Sequence, residues 1–340
     1  MYKSAVIFGG SGFIGRHFAE FVIDSLSVEK VYLLDLKSPL ESFCTKGFLG
    51  FYERGAIEFV ECDVRKRIDF NKAAGSGVLV ANFAAVHREP GHKAKEYYET
   101  NLLGAENVCE WASRYDCRNI IFTSSIAPYG PTEETKNETS LPVPISAYGG
   151  SKLVAEKIHL GWQKEKSECR RLIIVRPGVV FGPGEGGNVS RLIRAILSGY
   201  FVYMGNKETR KAGVYVKELC SAIVWGVMRQ EASSEAVTLF NMTMNPGPSI
   251  QEYVNAVKSV SQRKVVILSV PYGPVYFASF VISAVLGALK VSHPFSPVRV
   301  KKLVRSNNIS PSYLEYNGYK YRYTLEQAFC DWKQAAPHEW

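Results

Sequence analysis

The chain has 340 residues, of which 46% are hydrophobic, and this is enough for a sizeable core in one large α/β domain or in a large domain carrying a smaller one. The formal net charge is +9, but Lys and Arg are scattered among Asp and Glu instead of forming blocks. We therefore expect no nucleic-acid partner and no membrane partner, and read the charge as weakly favouring an anionic small substrate.

The seven cysteines are odd in number, widely spaced and free of any Cys-x-x-Cys pair. This pattern predicts reduced thiols and argues against both a disulfide framework and a metal site. The first predicted strand begins almost at Met1, which leaves no room for a secretion signal. We therefore expect a cytoplasmic protein.

The first half of the chain alternates short apolar runs with longer amphipathic stretches. The runs predict strands at residues 4–8, 31–34, 57–61, 78–83, 119–123 and 171–176. Helical periodicity lies between them at residues 12–25, 97–115 and 147–166. Such alternation produces βαβ units, so the sequence predicts an α/β fold with a Rossmann-type doubly wound parallel sheet.

After residue 176 the pattern loosens. It predicts helices at residues 189–198, 217–229 and 325–332 and a short strand at 214–216. We therefore divide the chain into a sheet domain, residues 1–176, and residues 177–340, which form mostly a smaller substrate-binding lobe with some segments returning to the sheet.

An uncharged stretch covers residues 265–289 and raises the question of a membrane span. Pro271, Gly273 and Pro274 interrupt it and leave only residues 275–289 continuous. Because roughly 18 residues are needed to span a bilayer, we expect a buried or pocket-lining helix, with membrane association as the alternative.

Gly9, Gly12 and Gly15 follow the first predicted strand and open the first predicted helix. Glycines in this context permit a tight turn and let the backbone approach a pyrophosphate at the helix N-terminus. Asp35 ends the second strand, where a carboxylate accepts hydrogen bonds from the ribose hydroxyls of NAD and repels the 2′-phosphate of NADP. The motif therefore predicts bound NAD; an ordinary strand–helix turn, with Asp35 as a cap, is the alternative.

Tyr148 and Lys152 form a Tyr-x-x-x-Lys pair at the start of a predicted helix, and their i, i+4 spacing places both side chains on one face. Ser125 follows the strand before it and is expected to bind the substrate oxygen. We expect the Lys152 ammonium to lower the pKa of Tyr148, so that the phenol exchanges a proton with an alcohol or carbonyl. The adjacent dinucleotide then carries the hydride.

With these motifs in this order, the chain resembles the extended short-chain dehydrogenase/reductase family and, within it, the nucleotide-sugar epimerases and dehydratases. Further matching segments are Asn82-Phe83-Ala84-Ala85, Asn101, Arg176-Pro177 and Phe181-Gly182-Pro183-Gly184. The resemblance implies that NAD is bound by Gly9, Gly12, Phe13, Ile14, Gly15, Asp35, Asp63, Val64, Phe83, Ala84, Ala85, Asn101, Ser124, Tyr148, Lys152, Pro177, Val179 and Val180.

The resemblance also implies that the second lobe binds the nucleotide diphosphate of a sugar substrate. The matching positions are Asn188, Arg191, Arg210, Lys211 and Tyr215. Each basic residue among them is alternatively a solvated surface charge. His87 and Arg88 follow the fourth strand and line the substrate pocket, or His87 is simply a loop histidine.

Ile126 and Ala127 occupy the two positions at which sugar 4,6-dehydratases of this family carry an Asp-Glu pair. Neither side chain transfers protons, so the sequence predicts an epimerase or keto-reductase and argues against a dehydratase. A 3β-hydroxysteroid dehydrogenase-like enzyme and a non-catalytic NAD-binding scaffold remain alternatives. The resemblance further implies a homodimer built from helices 97–115 and 147–166, although their apolar faces could equally be intramolecular core.

Overall fold

The structure is a computed structural model that describes residues 2–89, 91–288 and 305–340. The strands are β1 (Ser4–Phe8), β2 (Lys30–Asp35), β3 (Ile57–Glu61), β4 (Val78–Asn82), β5 (Asn119–Thr123), β6 (Thr132–Lys136), β7 (Arg171–Pro177), β8 (Val179–Phe181), β9 (Tyr203–Met204), β10 (Gly213–Tyr215), β11 (Val237–Met242), β12 (Ser269–Val270) and β13 (Asn307–Ile309). The helices are α1 (Phe13–Leu26), α2 (Lys46–Glu53), α3 (Ala94–Arg114), α4 (Ala147–Glu165), α5 (Asn188–Leu197), α6 (Val216–Glu231), α7 (Ile250–Ser261), α8 (Tyr272–Ala288), α9 (Ser312–Tyr316) and α10 (Leu325–Ala335).

Seven parallel strands form the central sheet in the order β11-β7-β5-β4-β1-β2-β3. The strand order reverses between β1 and β4, which leaves a crevice at their carboxyl ends where ligands of such sheets bind. The predicted Rossmann-type doubly wound sheet is therefore confirmed.

Alternate residues of β1 enter two different hydrophobic clusters. Ala5 and Ile7 pack with α1, α2 and α6 on one face, whereas Val6 and Phe8 pack with α3 and α4 on the other. Both faces of the strand are buried, which explains why its sequence is continuously apolar and not alternating.

The second half of the chain contributes to both parts of the molecule. Strand β11 is the seventh strand of the sheet, and α6 packs against α1 beneath it. A separate cluster, formed by residues of α5, α7, α10, β8 and β10, is centred on Phe181, Tyr215 and Trp332. This aromatic cluster is separate from the two clusters that flank the sheet.

Helix α8 covers most of the apolar stretch considered in the sequence. It begins at Tyr272 and includes Pro274, because a proline in the first turn removes no intrahelical hydrogen bond. Residue 289 lies outside the described residues. The expectation of a buried helix is wrong for one side of α8, because Phe277 is 72% exposed. None of the helices among the described residues combines the length and the apolarity needed to cross a membrane.

Candidate active site

The glycine loop lies at the carboxyl end of β1, beside β4. Gly9 has φ +72°, and a Cβ there would lie 2.6 Å from the backbone nitrogen of Ala84. A Cβ at Gly15 would lie 2.5 Å from the carbonyl oxygen of Gly10. Ser11 Oγ is buried in this loop without a hydrogen-bond partner among the described residues. A crevice without side chains, next to an unsatisfied hydroxyl, fits a pyrophosphate at the N-terminus of α1.

Asp35 closes the crevice from the end of β2. Its Oδ2 accepts a hydrogen bond from the Ser11 amide at 3.0 Å, and its Oδ1 accepts one from the Leu36 amide at 2.7 Å. Burial raises the pKa of this carboxyl, while these backbone bonds act in the opposite direction. Buried Arg16, which the sequence analysis missed, donates to the Ser11 carbonyl oxygen. The loop is thereby held in place from both sides.

Other predicted cofactor residues surround this crevice. The ring of Phe83 lies 5.2 Å from that of Phe18, and its amide donates to the Phe8 carbonyl oxygen. Both oxygens of Asp63 accept hydrogen bonds from Arg65, so a contact with adenine would have to share that carboxylate. The remaining positions are Phe13 and Ile14 at the start of α1, Val64 in the core behind β3, Ala84 and Ala85 after β4, Pro177 at the end of β7, and Val179 and Val180 in β8.

Asn101 ties the loop after β4 to the active-site helix. Its Oδ1 accepts from the Val86 amide at 2.9 Å, and its Nδ2 donates to the Val86 carbonyl oxygen and, at 2.8 Å, to Ser151 Oγ on α4. These three bonds hold the loop against α4 and occupy both the oxygen and the nitrogen of the Asn101 side chain within the protein.

Gly9→Ala is expected to weaken NAD binding at least tenfold and to destabilise the fold by roughly 1–3 kcal/mol, because the methyl group meets backbone and the positive φ is strained. Gly50→Ala, on α2, is the matched control, since nothing lies within 4 Å of its Cβ position. Titration calorimetry with NAD and urea unfolding measure both effects. Unchanged NAD affinity in the Gly9 variant would contradict the assignment of the loop.

The three predicted catalytic side chains meet at the carboxyl edge of the sheet. Ser146 caps α4 by accepting from the Gly149 amide at 3.1 Å, which fixes the turn that carries Tyr148. The Ser125 hydroxyl, just after β5, accepts from the Ala127 amide at 3.1 Å and lies beside the Tyr148 phenol, whose pKa it lowers. Lys152 is buried one turn further along, with Nζ 4.6 Å from the centre of the Phe122 ring.

Burial controls the ionisation of both α4 groups. It raises the pKa of Tyr148 to about 12, against which the Ser125 hydroxyl acts, and it lowers the pKa of Lys152 to about 7, against which Glu156 acts. The expectation that Lys152 lowers the pKa of Tyr148 is therefore wrong for this state of the protein. The cost of desolvating the phenolate is the largest influence on the pKa of Tyr148, and it raises that pKa.

A buried ion pair lies directly below Lys152. Arg176 donates from Nε to Glu156 Oε1 at 2.8 Å and from Nη2 to Glu156 Oε2 at 2.6 Å. The Ser124 hydroxyl also donates to Glu156, which satisfies Ser124 within the protein and not through a cofactor. Sequence analysis missed Glu156, although it continues the four-residue spacing of Tyr148 and Lys152 on α4.

The network extends from the ion pair to the edge strand β11 of the sheet. Arg176 Nη1 donates to the Tyr129 hydroxyl at 2.7 Å, which donates in turn to Asn241 Oδ1 at 2.9 Å. Asn241 lies on β11, the last strand of the sheet. The floor of the site is thereby connected across three strands.

Most of the predicted substrate residues lie on exposed segments. His87 and Arg88 are exposed after β4. On α5, Arg191 donates to Asn188 Oδ1 at 2.7 Å. Arg210 and Lys211 both donate to backbone carbonyl oxygens, those of Gly247 and Arg305.

Tyr215 is not placed to bind a substrate. Its side chain is fully buried in the aromatic cluster, and its hydroxyl donates to Asp331 Oδ2. We therefore correct this assignment: the tyrosine is a core residue. A buried phenol with an internal carboxylate acceptor has no remaining surface for a ligand.

Lys152 gives the stability of the protein a pH dependence. Its pKa is about 7 when folded and 10.5 ordinarily. Between pH 7 and pH 10.5 the unfolded chain holds a proton on Lys152 that the folded chain has lost. The free-energy cost of burying the charged amine is therefore fully present below pH 7, and it falls as the pH rises toward 10.5. Lys152→Met should therefore raise Tm at pH 6.5, with a smaller gain at pH 9.5, in thermal denaturation followed by circular dichroism. A lower Tm at pH 6.5 would show that the contacts with Glu156 and Phe122 outweigh burial.

Comparison with known proteins places this geometry among dinucleotide-dependent enzymes. The family model described as "NAD dependent epimerase/dehydratase family" matches residues 5–242. The chain is 26% identical, over 96% of its length and 93% of the relative, to N-acetyl-alpha-D-glucosaminyl-diphospho-ditrans,octacis-undecaprenol 4-epimerase of Escherichia coli O157:H7. It is 25% identical to the UDP-glucose 4-epimerase of Vibrio cholerae, over 86% of this chain and 88% of the relative.

Solved structures share the fold over the whole chain. UDP-N-acetylglucosamine 4-epimerase from Methanobrevibacter ruminantium M1, in complex with UDP-N-acetylmuramic acid, superposes with a TM-score of 0.76 at 19% identity, covering 100% of this chain and 99% of that one. The UDP-glucose 4-epimerase of Thermus thermophilus, in complex with NAD, gives 0.71 at 20% identity, covering 99% and 98%.

Proposed function

The chain belongs to the NAD dependent epimerase/dehydratase family, and from that premise we propose that it is an NAD-dependent 4-epimerase of a sugar carried on a diphosphate. The observation that carries the proposal is the meeting of Ser125, Tyr148 and Lys152 beside a glycine crevice that fits NAD. The relatives named above are 4-epimerases, which is why we propose carbon 4.

NAD, when bound on the glycine loop, supplies a reversible hydride acceptor for a carbinol carbon. In its ionised form, Tyr148 accepts the proton of the sugar C4 hydroxyl when that carbon is oxidised, and the phenol so formed returns the proton to the same oxygen when it is reduced. The Ser125 hydroxyl, beside the phenol, stabilises it each time it loses its proton. Lys152, fixed beneath by Phe122 and Glu156, places a titratable amine on the same helix face.

Inversion also requires that the sugar turn over between the two proton transfers. The diphosphate is the part of the substrate that stays bound, so it needs cationic or amide partners away from Tyr148. We propose that the exposed pair of Asn188 and Arg191 on α5, together with Arg210 and Lys211, provides them. Rotation about the anomeric linkage then presents the opposite face of the sugar.

The names of the relatives indicate two groups to which the sugar diphosphate is attached, a nucleoside and a polyprenol. A nucleoside is the first, because several relatives and structural neighbours are named for UDP-sugars. A polyprenol is the second, because the undecaprenol-linked relative is 26% identical over 96% of this chain. The active site acts on the sugar in either case.

The experiment that tests the proposal separates the two carriers. Purified protein is assayed for bound NAD and then incubated with UDP-N-acetylglucosamine, UDP-glucose or N-acetylglucosaminyl-diphospho-polyprenol, and the sugar is followed by proton NMR. Inversion at C4 without net consumption of NAD supports an epimerase. Net formation of NADH with a stable keto product would instead make it a dehydrogenase, and no turnover of any of the three would contradict the proposal.

The relatives argue against the steroid alternative. It depended on the apolar stretch that forms α8, as in steroid dehydrogenases with hydrophobic carboxy-terminal helices, whereas the relatives named above are epimerases of sugars carried on a diphosphate. The scaffold alternative conflicts with the intact Ser125, Tyr148 and Lys152.

We also propose that the enzyme is cytoplasmic and dimeric. All seven cysteines are free, in keeping with a reducing compartment. Helices α3 and α4 pack on each other and still expose Tyr98, Leu103 and Val154, which suits a four-helix interface between two copies. Analytical ultracentrifugation of the Leu103→Glu variant, expected to sediment as a monomer, tests the interface.

A further inference from the structure

Helix α8 is polar on the side that faces the protein and apolar on the side that faces away. All four hydroxyl side chains of the helix lie on the inner side, which carries Tyr272, Val275, Tyr276, Ser279, Ser283 and Leu286. The outer side carries Phe277, Phe280, Val281 and Ile282, whose exposed fractions are 72%, 49%, 50% and 36%. A helix on the surface of a water-soluble protein has the opposite arrangement.

The outer side is not a displaced part of the protein core. No residue of α8 belongs to the hydrophobic clusters formed by the described residues. Within the same part of the chain, no other helix or strand packs extensively against α8. Val266 and Leu268, shortly before the helix, are 84% and 67% exposed. Several large apolar side chains exposed on one side of a helix mark a site of contact with a protein or a membrane.

The charged residues near α8 in the sequence indicate that the partner is a membrane and not a protein. Over most of the chain Lys and Arg alternate with acidic residues, but residues 253–314 contain eight Lys and Arg and no Asp or Glu. Of these cations, Arg263 and Lys264 are exposed just before the helix and form no ion pair with any described carboxylate. An apolar helix face in a segment whose only charged side chains are cations is complementary to a bilayer of anionic lipid, whose headgroups attract the cations while its acyl chains accept the aromatic side chains.

We propose that the outer side of α8 docks on the surface of an anionic phospholipid bilayer, with the helix lying in the plane of the interface. The inner side, with Ser279 buried and its Oγ donating to the Tyr276 carbonyl oxygen at 2.6 Å, stays against the protein. Docking goes beyond the proposed chemistry and does not depend on it. It would bring the enzyme to the surface at which a lipid-linked sugar diphosphate resides.

The test is co-sedimentation of the full chain with vesicles of phosphatidylcholine containing 30% phosphatidylglycerol, compared with vesicles of phosphatidylcholine alone. We expect binding to the anionic vesicles, weakened at least fivefold in 0.5 M NaCl because the cations are screened. Phe277→Ser/Phe280→Ser should weaken binding at least tenfold, because it removes two aromatic side chains from the interface.

Met228→Ser/Tyr316→Ser is the matched control, since these side chains are 55% and 92% exposed outside α8. This control should bind vesicles like the unaltered chain. Both double variants should retain epimerase activity on a water-soluble substrate, so failure of docking and failure of the proposed function are distinguishable. Absence of binding to anionic vesicles, equal loss in both double variants, or a salt-independent dimer that dissociates in Phe277→Ser/Phe280→Ser would each overturn the proposal, the last by making the face an interface between two copies.

Discussion

Tyr148→Phe is expected to lower kcat by about 10³-fold, within the range that a positioned acid–base group contributes. The ring remains, so packing against Tyr97, whose ring centre lies 6.0 Å away, is retained. Only the proton-transferring oxygen beside Ser125 is lost. Steady-state kinetics with whichever substrate is turned over, together with the NAD content of the purified variant, separate loss of chemistry from loss of cofactor.

Tyr97→Phe supplies the control for this result. It removes a phenol hydroxyl from the same neighbourhood, one that donates to the Arg88 carbonyl oxygen and does not contact Ser125. We expect its kcat to stay within a few-fold of that of the unaltered enzyme. Full turnover by Tyr148→Phe, or equal damage in both variants, would remove Tyr148 from the proton transfer.

The pH dependence of the reaction follows from the same two groups. With a pKa of about 12, Tyr148 is ionised in only a small fraction of molecules and has no titration midpoint in the physiological range, whereas Lys152, with a pKa of about 7, changes charge within it. We therefore attribute any change in rate near neutral pH to Lys152. In Lys152→Met that transition should vanish from the profile.

The strands of the sheet could be read from the sequence because burial on both faces leaves a run of apolar β-branched residues. Strands β1, β3 and β5 have the predicted limits. Strand β11 was missed, although it completes the sheet, since polar Thr238 and Asn241 interrupt its pattern. Thr238 accepts from Gln230 on α6, and Asn241 accepts from Tyr129 and donates to the Ser310 carbonyl oxygen; none of these partners lies within the local pattern of the strand.

The site was predictable where the chemistry depends on local spacing. Tyr148 and Lys152 lie one turn apart on α4 and Ser125 follows β5, because a strand end and one helix face position them; their catalytic role stays a prediction. The role of Tyr215 was assigned wrongly, since its burial depends on α10, more than a hundred residues away. The outward apolar side of α8 was likewise invisible, because a hydrophobic stretch does not state which of its sides faces the protein.

Breaking the buried ion pair beneath Lys152 should destabilise the protein more than any surface change. Arg176→Met leaves the Glu156 carboxylate buried, with Ser124 as its remaining hydrogen-bond donor among the described side chains, and we expect a loss of about 3–5 kcal/mol in the free energy of unfolding. Urea unfolding at pH 7 measures it. Lys30→Met is the control, because it disrupts the partly exposed pair of Lys30 and Glu58 and should cost no more than about 1 kcal/mol.

The double variant Glu156→Met/Arg176→Met tests whether the ion pair only stabilises the fold or also controls the ionisation of Lys152. The double variant no longer contains the carboxylate that Arg176→Met leaves unpaired. Its free energy of unfolding should therefore return most of the way toward that of the unaltered protein. Activity should not return with it, because Glu156 is the group that favours the charged form of Lys152, and without it the pKa of Lys152 falls further. The neutral-pH transition in the rate should then move to lower pH. If stability and the pH profile both recovered, the pair would be a replaceable part of the core, and the positioning of Lys152 would rest on Phe122 alone.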